Sequence, residues 1–254
     1  MAQTMSSISA WQGRSEMIIE DATKWIRASL STNVHSLYLF GSFATGRAKP
    51  HLSNLDLLVV LHREQSGQLN TIKRNIEWRF SQSFPEVTGI NIRTVTLSEV
   101  LSLDNIFKWG FLLKQCCVCL LGDDLTHCFG QFEPNWEISK FWNMDLEEKL
   151  PSLRKHYVQV TDQKAQFLQQ REIGKKLLRA HYGLVLHKHR VWLDDPLQCA
   201  DVAQHYYPSK QVEIKRLTLL LRPHLIPRRS VVGLLDSHGD WLVKSYKKTE
   251  FRIG

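Results

Sequence analysis

The sequence lacks an apolar run long enough to cross a membrane, and it lacks internal repeats and low-complexity segments. Its N-terminal stretch, MAQTMSSISAWQGRSE, has neither the basic start nor the apolar middle of a secretory signal. Hydrophobic residues make up 43% of the chain, which suffices for a folded core. We therefore expect a globular protein in the cytoplasm, without a membrane partner.

The sequence also lacks the even number of cysteines that is typical of a secreted disulfide framework, because it contains five. Cys116 and Cys119 have a C-x-x-C spacing, with Cys117 between them and His127 and Cys128 downstream. A zinc site needs four convergent ligands, whereas these cysteines lie in an apolar run. Packed, reduced cysteines are the favoured interpretation, and a zinc site is the alternative.

Positive charge is in excess, with a formal net charge of +8 and a pI of about 9.3. This excess favours anionic partners such as nucleotides, nucleic acid or acidic protein surfaces, and does not choose among them. The length of 254 residues allows two modest domains.

The first half of the sequence alternates between helical and strand periodicity. A helical stretch also starts at Leu97, where Ser98 is a plausible cap. The predicted domain is a small mixed α/β unit at 14–125. Its predicted elements are helices at 14–31 and 68–84 and strands at 34–40, 55–61, 90–96 and 118–121.

The second half contains only helical patterns, separated by prolines. It predicts an all-helical C-terminal domain at 130–254, so the fold class is α+β. The predicted helices are 137–157, 162–190, 196–207, 211–221 and 230–246.

One motif stands out, LYLFGSFATGRAKPHLSNLDLLVVL at 37–61. Gly41 allows a tight turn and close approach to a ligand, and Ser42 adds a hydroxyl next to backbone amides that can face a phosphate. Asn54 and Asp56 are two apart at a strand start and therefore share a face. Two carboxylates at such positions would hold divalent metal ions.

This motif resembles the signature of the nucleotidyltransferase fold superfamily, which includes polymerase-β-like enzymes and aminoglycoside nucleotidyltransferases. The stretch INIRTVTLSEV is similar to the strand that carries their third carboxylate. The resemblance implies a domain that binds a nucleoside triphosphate (NTP) with Mg²⁺ or Mn²⁺ at Gly41, Ser42 and Asp56. It also implies transfer of a nucleoside monophosphate (NMP) to a hydroxyl.

Two positions depart from the family pattern. Asn54 stands where the family has its first Asp, and Asn91 stands where the third carboxylate is expected. The expected metal and catalytic set is thus Asp56, Asn54 and Asn91, with a single acidic member. Each amide lacks the negative charge that Mg²⁺ prefers, so we expect bound Mg²⁺–nucleotide but weakened or absent transfer.

Two accounts of the asparagines stay open: a natural pseudoenzyme, or an engineered inactive variant. The plainer alternative is that Asn54 caps a strand start and that Asn91 is an ordinary surface position.

Further candidates lie outside this core. Arg47, in the loop after Ser42, is a candidate phosphate contact. By the same resemblance, Lys175, Lys176 and Arg179 on the long helix are candidates to reach the triphosphate. Glu172, one turn earlier on the same helix, is a candidate general base. Solvated loop or helix charges are the alternative for all five.

The predicted function is therefore NMP transfer to a hydroxyl of a small molecule, a protein or an RNA such as tRNA, weakened or absent in this chain. The alternatives are a non-catalytic nucleotide-sensing module or an antitoxin-like binding partner. An oligomer is possible under any of them.

Overall fold

The computed structural model describes residues 2–64 and 67–253, with side chains from residue 10 onward. It divides the chain into two compact units, Met1–Phe132 and Glu133–Gly254. None of the described helices combines the length and the apolar character needed to span a bilayer.

The first unit alternates helices and strands. Short 3-10 or π turns connect some of them, at Ser31–Asn33, Leu103–Asn105, Ile106–Gly110 and Leu125–Cys128. The elements are α1 (Ala2–Leu30), β1 (Val34–Phe40), α2 (Gly41–Ala44), β2 (Leu55–Leu61), α3 (Leu69–Ser83), β3 (Ile90–Thr96), α4 (Leu97–Leu101), α5 (Phe111–Cys116) and β4 (Val118–Gly122).

The four strands form one mixed sheet in the order β3-β2-β1-β4. Strand β1 pairs antiparallel with β2 and with β4, while β2 and β3 are parallel. The register places Asp56 of β2 directly between Phe40 of β1 and Asn91 of β3. Direct partners on adjacent strands point to the same face, so these three side chains share one face of the sheet.

The opposite face of the sheet carries the apolar core of this unit. Leu55, Leu57 and Val59 of β2 alternate with the site face and are fully buried against helices α1 and α3. Ile26 of α1 and Phe80 of α3 belong to the same cluster. This alternation holds Asp56 on the second face, because a one-residue slip would bury the carboxylate in the core.

The second unit is helical throughout its described residues. Its core contains Leu177 and Leu178 of its longest helix, Gln163–Gly183, together with residues of the surrounding helices. The helices are α6 (Trp136–Asn143), α7 (Leu146–Gln159), α8 (Gln163–Gly183), α9 (Leu186–His189), α10 (Pro196–Tyr206), α11 (Gln211–Leu219), α12 (Arg228–Leu234) and α13 (Asp240–Ile253), with a 3-10 turn at Pro208–Lys210 and a π turn at Leu235–Gly239.

The fold class predicted from the sequence, α+β with a helical second half, is confirmed. The strands at 34–40, 55–61 and 90–96 have the predicted bounds. Helix α1 begins at Ala2 rather than at 14. The predicted cap at Ser98 was wrong: Thr96 Oγ1 accepts the hydrogen bond from the Glu99 amide, at 3.3 Å.

Two long predicted helices are each divided. The 137–157 segment forms α6 and α7, and the 162–190 segment forms α8 and α9. At the second break, Ser139 Oγ donates to the Gly183 carbonyl (2.7 Å) and Tyr246 Oη lies against Gly183, where an added Cβ would be 2.1 Å away. Periodicity cannot show this break, because its cause lies in helices distant in sequence.

Candidate active site

The candidate site is centred on the side chain of Asp56, at the N-terminal end of β2. Asn54 precedes the strand and Asn91 is the β3 partner of Asp56, so both amides reach the same carboxylate. All three side chains are half-buried. The structure thus brings together the three residues that the sequence grouped as a metal and catalytic set.

Both amides donate hydrogen bonds to a single oxygen of Asp56. Asn54 Nδ2 lies 2.7 Å from Asp56 Oδ1, and Asn91 Nδ2 lies 3.0 Å from the same atom. An ionised carboxylate carries no proton, so only the NH₂ group of an amide can satisfy it. Hydrogen bonds to a charged acceptor are stronger than neutral ones, so this arrangement stabilises the ionised Asp56.

The other oxygen of Asp56 lies against the backbone of Gly41. A Cβ atom added to Gly41 would be 2.7 Å from Asp56 Oδ2, which is closer than a Cβ atom approaches another heavy atom without a hydrogen bond or covalent link. Gly41 also has a φ of 73°, in the left-handed region that favours glycine. Both properties require glycine here, where β1 ends and the four-residue helix α2 begins.

The turn between β1 and β2 was expected to be a loop; its first part is helix α2, which includes Ser42. Arg47 is exposed, and its amide donates to the Ser42 carbonyl at 2.8 Å. Its Nε donates to Thr45 Oγ1 at 3.1 Å. Trp11 Nε1 donates to the carbonyl of Ala48 at 2.9 Å, so α1 anchors the same turn.

Arg93 is a site candidate that the sequence reasoning missed. It lies two residues after Asn91 on β3 and therefore on the same face as Asp56. Its guanidinium lies 5.2 Å from the ring centroid of Phe40, the β1 partner of Asp56. Among the described residues, no carboxylate forms an ion pair with it. Residues two apart on a strand share a face, so the spacing between Asn91 and Arg93 was the signal that could have identified Arg93.

The donor set decides which metal sites these residues fit. The fold superfamily implies Mg²⁺ or Mn²⁺ held by several carboxylates, whereas this cluster has one carboxylate and two amides whose NH₂ groups face it. Among the described residues, no group of three His, Cys, Asp or Glu side chains could hold a metal ion. The residues therefore do not fit a two-metal centre, and they fit at most one ion that brings phosphate oxygens as its other ligands.

The remaining predicted site residues belong to α8 in the second unit. Lys175 Nζ pairs with Glu172 Oε1 at 2.6 Å, and Glu172 is 61% exposed. Lys176 Nζ donates to the Trp142 carbonyl at 2.9 Å. Arg179 donates to the Asp194 carbonyl at 2.9 Å. Lys176 and Arg179 thus stabilise the helical unit by donating hydrogen bonds to backbone carbonyls. That they also contact a triphosphate stays a prediction.

Among the described residues, none of the five cysteines forms a disulfide. Burial raises the pKa of the Cys117 thiol and that of the Cys119 thiol. A raised pKa disfavours the thiolate that binds zinc. These properties fit the interpretation as packed, reduced cysteines.

Comparison with known proteins supports the same assignment of the fold. Residues 23–108 match the family model for a nucleotidyltransferase domain, which spans the motif and strand β3. No curated protein matches the chain by sequence.

One solved structure is similar over nearly the whole chain. It is the spectinomycin adenyltransferase AAD(9) from Enterococcus faecialis, crystallised with ATP and spectinomycin. The two superpose with a TM-score of 0.60 at 15% sequence identity, covering 91% of this chain and 99% of that one. At this identity the likeness shows the fold. Residues 23–108 therefore match a nucleotidyltransferase domain, and the chain has the polymerase-β-like nucleotidyltransferase fold.

Proposed function

We propose that this protein binds an NTP at the Gly41–Ser42 turn beside Asp56, and that its transfer of NMP to an acceptor hydroxyl is slow or absent. The observation that carries the proposal is the convergence of two amide donors on Asp56 Oδ1, at 2.7 and 3.0 Å. The family match and the ATP-bound structure of similar fold support the nucleotide part.

Nucleotide binding needs close backbone approach and cationic side chains. Gly41 has no Cβ, so its backbone lies close to Asp56 Oδ2, and Ser42 provides a hydroxyl in the same turn. Arg47 and Arg93 are exposed cations in the turn and on the site face. A Mg²⁺ ion that arrives with the triphosphate would be held by Asp56 and would neutralise phosphate charge.

Transfer makes stricter demands, since the acceptor hydroxyl must lose its proton as it attacks. In this site the two groups next to Asp56 are amides, which do not accept a proton at neutral pH. Asp56 itself is engaged by both of them. The acceptor is therefore poorly activated, and we expect transfer to be at least about a hundredfold slower than with carboxylates at both positions.

The acceptor side belongs to the helical unit in this proposal, with Lys175, Lys176 and Arg179 as candidate triphosphate contacts and Glu172 as a candidate base. The similar structure contains a small-molecule acceptor, spectinomycin, so a hydroxyl-bearing small molecule is the first acceptor to test. Proteins and tRNA are the further candidates.

A non-catalytic nucleotide-sensing module is the second candidate function, and the same pair of amides favours it. A sensing module would bind nucleotide and transfer nothing.

One experiment distinguishes the sensing module from a slow transferase. The natural chain and the Asn54→Asp/Asn91→Asp variant are incubated with α-labelled NTPs, Mg²⁺ or Mn²⁺, and a panel of small-molecule, tRNA and protein acceptors.

The control variant is Asn70→Asp/Asn75→Asp, which makes the same two changes at exposed positions of α3. Slow transfer by the natural chain and fast transfer by the first variant alone would support a disabled transferase. Nucleotide binding without transfer by any form would support the sensing module. Equal transfer by all three forms, or failure of every form to bind nucleotide, would overturn the proposal.

A further inference from the structure

The hydrogen bonds of Asp56 occupy the position in which carboxylate clusters hold a cation. Asn54 and Asn91 both donate N–H groups to Oδ1, and the backbone of Gly41 lies close to Oδ2. A cation that approached Oδ1 would meet the positive ends of two N–H bonds. The carboxylate is therefore already satisfied by hydrogen-bond donors within the protein.

The charge balance of the cluster favours the same conclusion. Three carboxylates at these positions would repel one another without a metal, because Asp56 is within hydrogen-bond distance of both neighbours. With two amides the cluster has a single negative charge, and the repulsion is replaced by two charge-assisted hydrogen bonds. A single half-buried carboxylate also binds Mg²⁺ weakly, since this ion gives up its water shell reluctantly.

We propose that Asn54 and Asn91 replace a divalent cation as the partner of Asp56. On this proposal the first unit is fully stable without divalent metal, and Asp56 takes a metal ion only as part of a metal–nucleotide complex. The second statement rests on the proposed function, because nucleotide phosphates must supply the other ligands. The first statement is independent of it.

Two measurements on the full chain test the proposal, both without an acceptor. The first is the thermal unfolding temperature in EDTA and in Mn²⁺, with no nucleotide present. The second is a titration with Mn²⁺, without and with ATP, followed by electron paramagnetic resonance, which reports the free ion. The forms compared are the natural chain, Asn54→Asp/Asn91→Asp, the exposed control Asn70→Asp/Asn75→Asp, and Asp56→Asn.

The natural chain and the exposed control are expected to unfold at the same temperature in EDTA and in Mn²⁺. The Asn54→Asp/Asn91→Asp variant is expected to unfold at a lower temperature in EDTA and to recover in Mn²⁺. Its affinity for free Mn²⁺ should be at least about tenfold higher than that of the natural chain, because affinity rises with ligand charge.

The natural chain alone suffices to overturn the proposal, even if the Asn54→Asp/Asn91→Asp variant fails to fold. A Mn²⁺-dependent gain in its unfolding temperature that Asp56→Asn abolishes would show that Asp56 binds free metal. Failure of the proposed function has a different signature. If ATP binds to no form while the Mn²⁺ results are as expected, the metal inference stands and nucleotide binding is wrong.

Discussion

Asn91 Nδ2 donates a hydrogen bond to Asp56 Oδ1 at 3.0 Å, across the parallel pair of β2 and β3 in which the two residues are direct partners. A carboxylate at position 91 would instead place a second negative charge beside the first. The residue at position 91 therefore decides how the charge of Asp56 is stabilised. With Asn at this position Asp56 accepts a hydrogen bond, and with a carboxylate it would need a cation.

The first prediction concerns Asp56→Ala. This change removes the acceptor shared by Asn54 and Asn91, so we expect the free energy of unfolding of the first unit to fall by about 1–3 kcal/mol. Chemical denaturation in EDTA measures it, with Asp104→Ala as the control, since Asp104 is exposed in a 3-10 turn. An unchanged or increased stability would show that the carboxylate is a source of repulsion, as in an empty metal site.

The second prediction compares two glycines of the same turn. Gly41 and Gly46 both have a left-handed φ, of 73° and 67°. A Cβ on Gly46 meets nothing within 4 Å, whereas one on Gly41 would be 2.7 Å from Asp56 Oδ2. Both changes to Ala carry the cost of a left-handed φ, about 1 kcal/mol.

Gly41→Ala should cost about 1–3 kcal/mol more than Gly46→Ala, since only the first displaces the Asp56 carboxylate. It should also weaken ATP binding, measured by isothermal titration calorimetry, while Gly46→Ala leaves binding close to the natural value. Equal effects of the two variants on both stability and binding would contradict the close approach of Gly41 and Asp56.

Arg93 provides the third prediction. Arg93→Ala should weaken ATP binding about five- to tenfold, because it removes a cation from the face that carries Asp56. Arg79→Ala is the matched control. Arg79 lies over Trp25 at 4.2 Å, much as Arg93 lies over Phe40 at 5.2 Å, but on helix α3. If both variants bind ATP like the natural chain, Arg93 only packs on Phe40.

The sequence predicted the strands of the first unit well because their signals are local. The buried runs around Leu37, Leu57 and Ile92 sit between turn residues, and the tertiary structure keeps those bounds. Strand alternation also predicted that Asn54 and Asp56 share a face, and the family resemblance added Asn91 to them.

What the sequence could not predict depends on contacts between distant segments. The direction of the Asn91 amide toward Asp56 Oδ1 requires the parallel pairing of β2 with β3, which no local pattern specifies. The break after Gly183 requires Ser139 and Tyr246 from two other helices. Arg93 was missed because the motif specifies carboxylate positions and contains no signal for a cation on β3.

The fourth prediction concerns pH and two buried histidines of the second unit. His181 and His238 are almost completely buried, and their Nδ1 and Nε2 atoms are 3.2 Å apart. Burial lowers the pKa of His181 to about 3 and that of His238 to about 4. Nearby, Lys210 lowers both pKa values, and Glu213 raises that of His238.

These shifts fix the sign of the pH dependence. Below about pH 6.5 the unfolded chain binds protons that the folded unit rejects, so stability falls as the pH drops from about 6.5 toward about 4. At pH 5 the loss should be on the order of 2 kcal/mol for each histidine. Hydrogen exchange at pH 7.5 and pH 5, corrected for the intrinsic rates, should show lost protection in α8 and the Leu235–Gly239 turn.

The matched variant for this test is His181→Gln/His238→Gln, and exposed His127→Gln is the control. Gln does not titrate, so the double variant should lose most of the difference in protection between the two pH values, even if it is less stable at both. The His127→Gln protein should behave like the natural chain. A pH difference that survives in the double variant would assign the acid sensitivity of the second unit to groups other than this buried pair.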